Sequence, residues 1–199
     1  MPAARGNVSA ELSVPGIRVQ VLDYHWSVGE QITEWDQDYI LSYRSYPHRV
    51  SVAALMAEKL LDFGKLFFFP AGVPIKTDAA DRDERVRTIR CRFEPGWFSR
   101  IWPTSSAEWD SERLTRCFDM HSMRIEQAIQ RLGMEALNPG FASPLMVDAL
   151  SNMIAIEIAR YFRNPPEKLR VRTRAGRMSD ADLARIYDFV TSFENKCPS

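Results

Sequence analysis

No stretch of this chain approaches 18 uninterrupted apolar residues, and its opening, MPAARGNVSAELSVPG, has no apolar core of the kind a secretory signal needs. Neither membrane spanning nor secretion is expected. Cysteine is scarce: Cys91, Cys117 and Cys197 are odd in number, widely spaced and without a C-x-x-C pair. That argues against a disulfide framework or zinc site and for reduced thiols in a cytoplasmic protein. Charge of one sign does not predominate, since 26 basic residues balance 26 acidic ones, and so gives no global case for nucleic-acid binding. G-x-G-x-x-G, G-x-x-x-x-G-K-[ST], G-x-S-x-G and H-E-x-x-H are all missing, which weighs against the enzyme classes built on them. Histidine is limited to His25, His48 and His121, with no H-x-H.

From Gly16 to about Met120 the chain alternates like a β-protein. IRVQVLDYHW (17–26), DYILSYRSY (38–46), RVSVAALM (49–56), KLFFFP (65–70), VRTIRCRF (86–93) and RLTRCFDM (113–120) read as short strands between turn residues. In VRTIRCRF the alternation sets Val86, Thr88, Arg90 and Arg92 on one face and Arg87, Ile89, Cys91 and Phe93 on the other. Many short strands without intervening helices predict an antiparallel sandwich or barrel.

Near Asp119 the period changes from two to 3.6. HSMRIEQAIQRLGMEAL (121–137) sets Ile125, Ala128, Ile129, Leu132 and Ala136 along one face, NPGF breaks the helix, and Ser143 with Pro144 starts a second helix over 144–162. The second helix is apolar over most of its circumference, which predicts two partners: the β-layer and the same helix of a second subunit. RNPPEKLRVRTRAGR (163–177) reads as a linker. Between Arg160 and Arg177 seven basic residues face Glu167 alone, a run that usually marks a solvated segment. The closing stretch is a well-specified helix: Ser179 is the N-cap, Asp182 completes a capping-box variant, Met178 and Leu183 can form a staple, and Leu183, Ile186, Val190 and Phe193 make one apolar stripe.

Three sets of residues could carry chemistry. His25 and His48, with Asp119 or Glu126, could form a facial triad for a metal, although their spacing adds nothing beyond residue type. Ordinary surface histidines are the simpler reading. Aromatic residues crowd the β-region, and a pocket for a small, partly apolar ligand could draw on Trp26, Tyr39, Tyr43 and Phe67, with Arg44, His48, Arg90 and Arg92 as further candidates. The same aromatics also serve as ordinary strand core. On the second helix, Leu150, Ile154, Ile158 and Tyr161 are the candidate dimer interface.

PAGVP after one strand, R-x-x-R-C-R-F in the next, RLGMEALNPGF across a helix pair, a basic linker and then GRMSDADLARIYDFVTSFEN together resemble the AraC-type transcription regulators. The likeness is sharpest at Ser179 and LARIYDFV (183–190), which match the first helix of that family's DNA-binding domain. The resemblance implies an α+β chain: an antiparallel cupin-like β-barrel sensor over 1–118, a dimerising helix pair over 119–163, a linker over 164–177 and the first helix of a helix-turn-helix domain over 178–199. It implies a small-molecule effector, a homodimer, no cofactor and no catalytic activity. The family's pattern continues past the point corresponding to Ser199, so DNA is expected to be contacted only through a C-terminal domain that is absent here. A cupin-fold metal enzyme using His25 or His48, and a regulator-derived partner forming mixed dimers, are the alternatives.

Overall fold

Nine strands and four helices fill the residues that the structure, a computed structural model, describes: 6–26, 31–44, 53–56, 59–78, 84–104 and 109–163. In chain order they are β1 Gly6–Val14, β2 Ile17–Trp26, β3 Gln31–Glu34, β4 Tyr39–Arg44, β5 Ala53–Met56, β6 Lys59–Asp62, β7 Leu66–Phe69, β8 Ile75–Asp78, β9 Glu84–Phe93, α1 Pro95–Phe98, α2 Ser111–Phe118, α3 Met123–Leu137 and α4 Ser143–Arg163. All belong to the first of two units of the chain, which ends at Arg163. The predicted linker and C-terminal helix, 164–199, lie outside the described residues.

The strands form two antiparallel sheets, ordered β1-β2-β9-β4-β7 and β3-β8-β5-β6. β2 pairs with β9, β3 with β8, β4 with β7 and β5 with β6, a nested series in which the first strand meets the last and the middle two meet each other. A long hairpin with its tip between β5 and β6, rolled up so that β4 also meets β9 and β5 meets β8, gives this order. It is a double-sheet jelly roll, the strand arrangement of cupins. β1 is added at the edge, joined to β2 through the two-residue turn Pro15-Gly16.

Alternation splits the five-stranded sheet into two apolar faces. Ile17, Val19 and Val21, Tyr39, Leu41 and Tyr43, Leu66 and Phe68, and Ile89, Cys91 and Phe93 share one core with the helices. Leu22 and Tyr24, Ile40, Phe67 and Phe69, and Val86 join a second core that includes Ile75 of β8, so this face looks into the roll. Each large side chain fully removed from water contributes about 1.5–3 kcal/mol, which is why neither face tolerates a one-residue slip. α3 lies so close to the outer face that a Cβ at Gly133 would meet Ile89 Cδ1 at 2.4 Å.

Two expectations change. RLTRCFDM is α2 and not a strand: Asp110 caps it by accepting from the Arg113 amide at 2.8 Å, and Leu114, Cys117 and Phe118 are buried at helical spacing. Second, α4 buries its main apolar face within its own chain. Ile154 and Ile158 have no exposed surface, and Leu150 and Tyr161 are half-buried against the same core. Ile154 and Ile158 are therefore closed to a second subunit, while Leu150 and Tyr161 keep part of their surface. What remains exposed on α4 is a different stripe, Leu145, Met146, Met153 and Ile156; Phe141 in the preceding turn and Met134 and Leu137 of α3 are exposed as well.

Candidate functional site

The inner face of the roll is where the sequence concentrates buried polar groups among rings. Period two along β4 and β9 sends Ser42, Arg44, Thr88 and Arg90 to the same side as Leu22 and Tyr24. Register then places them together: Arg90 stands opposite Ser42 and also opposite Gln20 of β2, while Thr88 stands opposite Arg44 and Leu22. Ser42 is fully buried, Thr88 is 4% exposed, Arg44 6% and Arg90 7%. Buried guanidinium groups are uncommon because removing a charge from water is costly.

Aromatic rings line the same space. The Arg44 guanidinium lies 5.0 Å from the Phe67 ring centroid and 5.5 Å from that of Phe63, and the Arg90 guanidinium 5.5 Å from that of Tyr24. Such contacts favour a desolvated cation by about 0.5–2 kcal/mol each. Phe63, Phe67, Phe69 and Phe118 pack against one another with centroids 5.0–6.5 Å apart. Ser42 Oγ has no hydrogen-bond partner among the described residues. The result is a low-dielectric interior in which two guanidinium groups, hydroxyl groups and ring faces lie on one side of the sheet.

Of the candidate ligand set, Arg44, Phe67 and Arg90 meet on this inner face. Tyr39 and Tyr43 do not: one step out of phase with Arg44, they point to the helices. Tyr39 stacks on Phe98 at 4.4 Å, and Tyr43 Oη accepts from Gln130 Nε2 of α3 at 2.8 Å while Lys65 Nζ lies 4.9 Å from its ring. Arg92 is in phase with Arg90 but sits at the end of β9, where it pairs with Asp36 and, at 3.4 Å, with Asp38, and so ties down the turn before β4. The Trp26 side chain and all of His48 lie outside the described residues. Ser42, Thr88, Phe63 and Phe118 are inner-face residues that the sequence pattern did not single out, while Tyr24 and Phe69 belong to the β-region aromatics. Their signal was there for Ser42 and Thr88, which lie two residues before Arg44 and Arg90 and so share their faces.

Among the described residues, the inner face assembles no metal site. His25 is exposed and in phase with Val19 and Val21, on the outer side of β2, and no group of three His, Cys, Asp or Glu among the described residues could hold a metal. Among the described residues, no helix is long and apolar enough to cross a membrane.

No family model matches the chain, and no curated protein does. Among solved structures, the EutQ protein of Clostridium difficile is 14% identical with a TM-score of 0.32, over 44% of this chain and 67% of that one. A cupin superfamily protein of Desulfitobacterium hafniense DCB-2 is 12% identical with a TM-score of 0.33, over 47% and 89%. A mutant oxalate decarboxylase of Bacillus subtilis is 14% identical with a TM-score of 0.32, over 46% and 28%. The strand order of the chain itself makes it an α+β protein built on a cupin-like jelly roll, with α3 and α4 sharing the core of one outer face.

Proposed function

We propose that this chain is the ligand-sensing and dimerising part of an AraC-type transcription regulator, and that its barrel takes a small molecule with a carboxylate on an apolar body. The observation that carries the ligand class is the placement of Arg44 and Arg90 on one buried inner face beside aromatic rings. A guanidinium offers a planar fork of donors matched to a carboxylate, and ring faces accept the rest of the molecule. Ser42 and Thr88 add short hydroxyl donors in the same rows.

The regulator reading is supported by the order of parts: a cupin-like roll, two packed helices, a basic run from Arg160 to Arg177 and a segment resembling the first helix of a DNA-binding domain. DNA contact belongs, in this reading, to helix-turn-helix elements that these 199 residues do not include. The dimer contact in this reading falls on the exposed α4 stripe of Leu145, Met153 and Ile156, since exposed large apolar side chains along one helix face suit an association site.

Calorimetric titration of the whole chain with benzoate and hexanoate, against benzamide and hexanamide as neutral counterparts, tests the ligand class. Saturable binding of a carboxylate and not of its amide supports it, and failure of every carboxylate to bind removes it. An open reading frame that continues past the Ser199 codon into a helix-turn-helix pattern would support the regulator reading.

A further inference from the structure

Helix α2 touches both the interior of the roll and the last turn of α4, which β7 also meets through Phe68 against Phe162 at 6.0 Å. At its C-terminal end Phe118 is fully buried in the inner cluster, edge-on to Phe63 at 5.0 Å, and Phe63 in turn lies under the Arg44 guanidinium. Backbone bonds fix that end, with Gly64 N–H donating to Phe118 C=O at 2.7 Å and Met120 N–H to Leu66 C=O at 2.8 Å. Two residues earlier, and so on the other side of the helix, Arg116 donates from Nη2 to Tyr161 C=O. Its guanidinium lies 4.9 Å from the Tyr161 ring centroid and 5.3 Å from that of Phe162. Tyr161 C=O is among the final four carbonyls of α4, which have no partner inside the helix, and a cation there also complements the negative end of the helix dipole.

We infer that α2 couples the barrel interior to the last turn of α4, with Arg116 as the positioning residue: a repacking at Phe63 and Phe118 changes how Arg116 holds the Tyr161 carbonyl. Leu114 and Cys117 are buried in the outer core, so α2 moves as a packed body and a displacement at one end reaches the other. The last turn of α4 leads straight into Asn164 and the basic run, so its order is the output that a filled barrel would alter. The use of this coupling as a sensor rests on the ligand reading above; the coupling itself needs no ligand.

Amide exchange of the whole chain tests it with Phe63→Leu, Arg116→Lys and the double variant, and with Phe118→Leu in place of Phe63→Leu if that variant does not fold. The barrel variant should speed exchange over residues 160–163 several-fold while leaving α3 at its native rate. In the Arg116→Lys background it should add nothing further, because both substitutions release the same contact. Altered exchange in β4 and β7 with native exchange at 160–163, or additive effects of the two substitutions, would overturn the inference. Carboxylate binding with additive exchange removes the coupling alone, and coupling without carboxylate binding removes the ligand reading alone.

Discussion

Ser42 of β4 and Arg90 of β9 stand opposite each other in register on the inner face of the roll, Ser42 fully buried and Arg90 nearly so. This pairing puts a hydroxyl and a guanidinium in one row beside Phe67. Charge-assisted hydrogen bonds contribute about 1.5–3 kcal/mol, so Arg90→Gln should weaken a bound carboxylate about tenfold or more. Ser42→Ala should cost less, since a neutral hydroxyl contributes about 0.5–1.5 kcal/mol. Calorimetry with the same carboxylate checks both, and an Arg90→Gln affinity equal to wild type would detach Arg90 from the ligand.

At the turn between α3 and α4, buried Glu135 accepts from Ser143 Oγ at 2.5 Å, and that hydroxyl also accepts from Gly140 N–H at 2.7 Å. Glu135→Ala removes the charged acceptor of the Ser143 hydroxyl, leaving it the Gly140 carbonyl at 3.0 Å, and should destabilise the fold by about 1–3 kcal/mol. Arg131, 3.4 Å from the same carboxylate but mostly exposed, should cost under about 1 kcal/mol on replacement by Ala. Urea unfolding of the two variants measures the difference.

Gly64 has no space for a side chain: a Cβ there would fall 1.7 Å from Asp119 Oδ1 and 2.5 Å from its Cγ. Gly64→Ala should therefore lower stability by about 1–3 kcal/mol, as overpacking does. Adding Asp119→Ala removes the two nearest atoms and should recover part of the loss. Thermal unfolding of the single and double variants decides whether the clash is the cause.

Burial pushes the thiols of Cys91 and Cys117 well above the ordinary thiol range, with the nearby Arg116 charge opposing the shift at Cys117. Above about pH 8.5 the unfolded chain releases these protons while the folded chain keeps them, so stability should fall with rising pH by about 1.4 kcal/mol per unit for each thiol. Below that pH the contribution is fully present. Denaturant unfolding between about pH 8 and 10 should show a flatter dependence in Cys91→Ala and Cys117→Ala, and an unchanged slope would contradict the assignment.

Leu145 and Ile156 share the exposed stripe of α4, whereas Ile154 lies in the core. Leu145→Glu and Ile156→Lys should dissociate a dimer while leaving the folding transition in place. Ile154→Ala should instead lower stability by about 2–5 kcal/mol. Sedimentation at several concentrations separates these effects, and a wild-type chain that stays monomeric at high concentration would remove the dimer.

How legible each segment is depends on how strongly it announces its period. VRTIRCRF alternates without interruption, so its own residues assign both faces of β9, including the shared face of Thr88, Arg90 and Arg92. α3 and α4 are equally plain, bounded by NPGF and by Ser143-Pro144. β3, β6 and β8 span only four residues each, too short for alternation to stand out from loop composition, whereas β5, equally short, falls within RVSVAALM. RLTRCFDM misleads because three positions of a helical stripe, Leu114, Cys117 and Phe118, look in so short a run like the apolar residues of a strand.

The change from period two to 3.6 near Asp119 and the sharing of one face by Thr88, Arg90 and Arg92 follow from the sequence, because each depends on side chains a few residues apart. Which sheet each strand joins, which side of β4 faces the helices and which stripe of α4 stays uncovered do not, because those depend on partners far along the chain. Tyr43 shows the difference. Its neighbour Arg44 faces the roll while Tyr43 meets Gln130, 87 residues away, and only the packing of α3 across the outer face of the sheet could decide that.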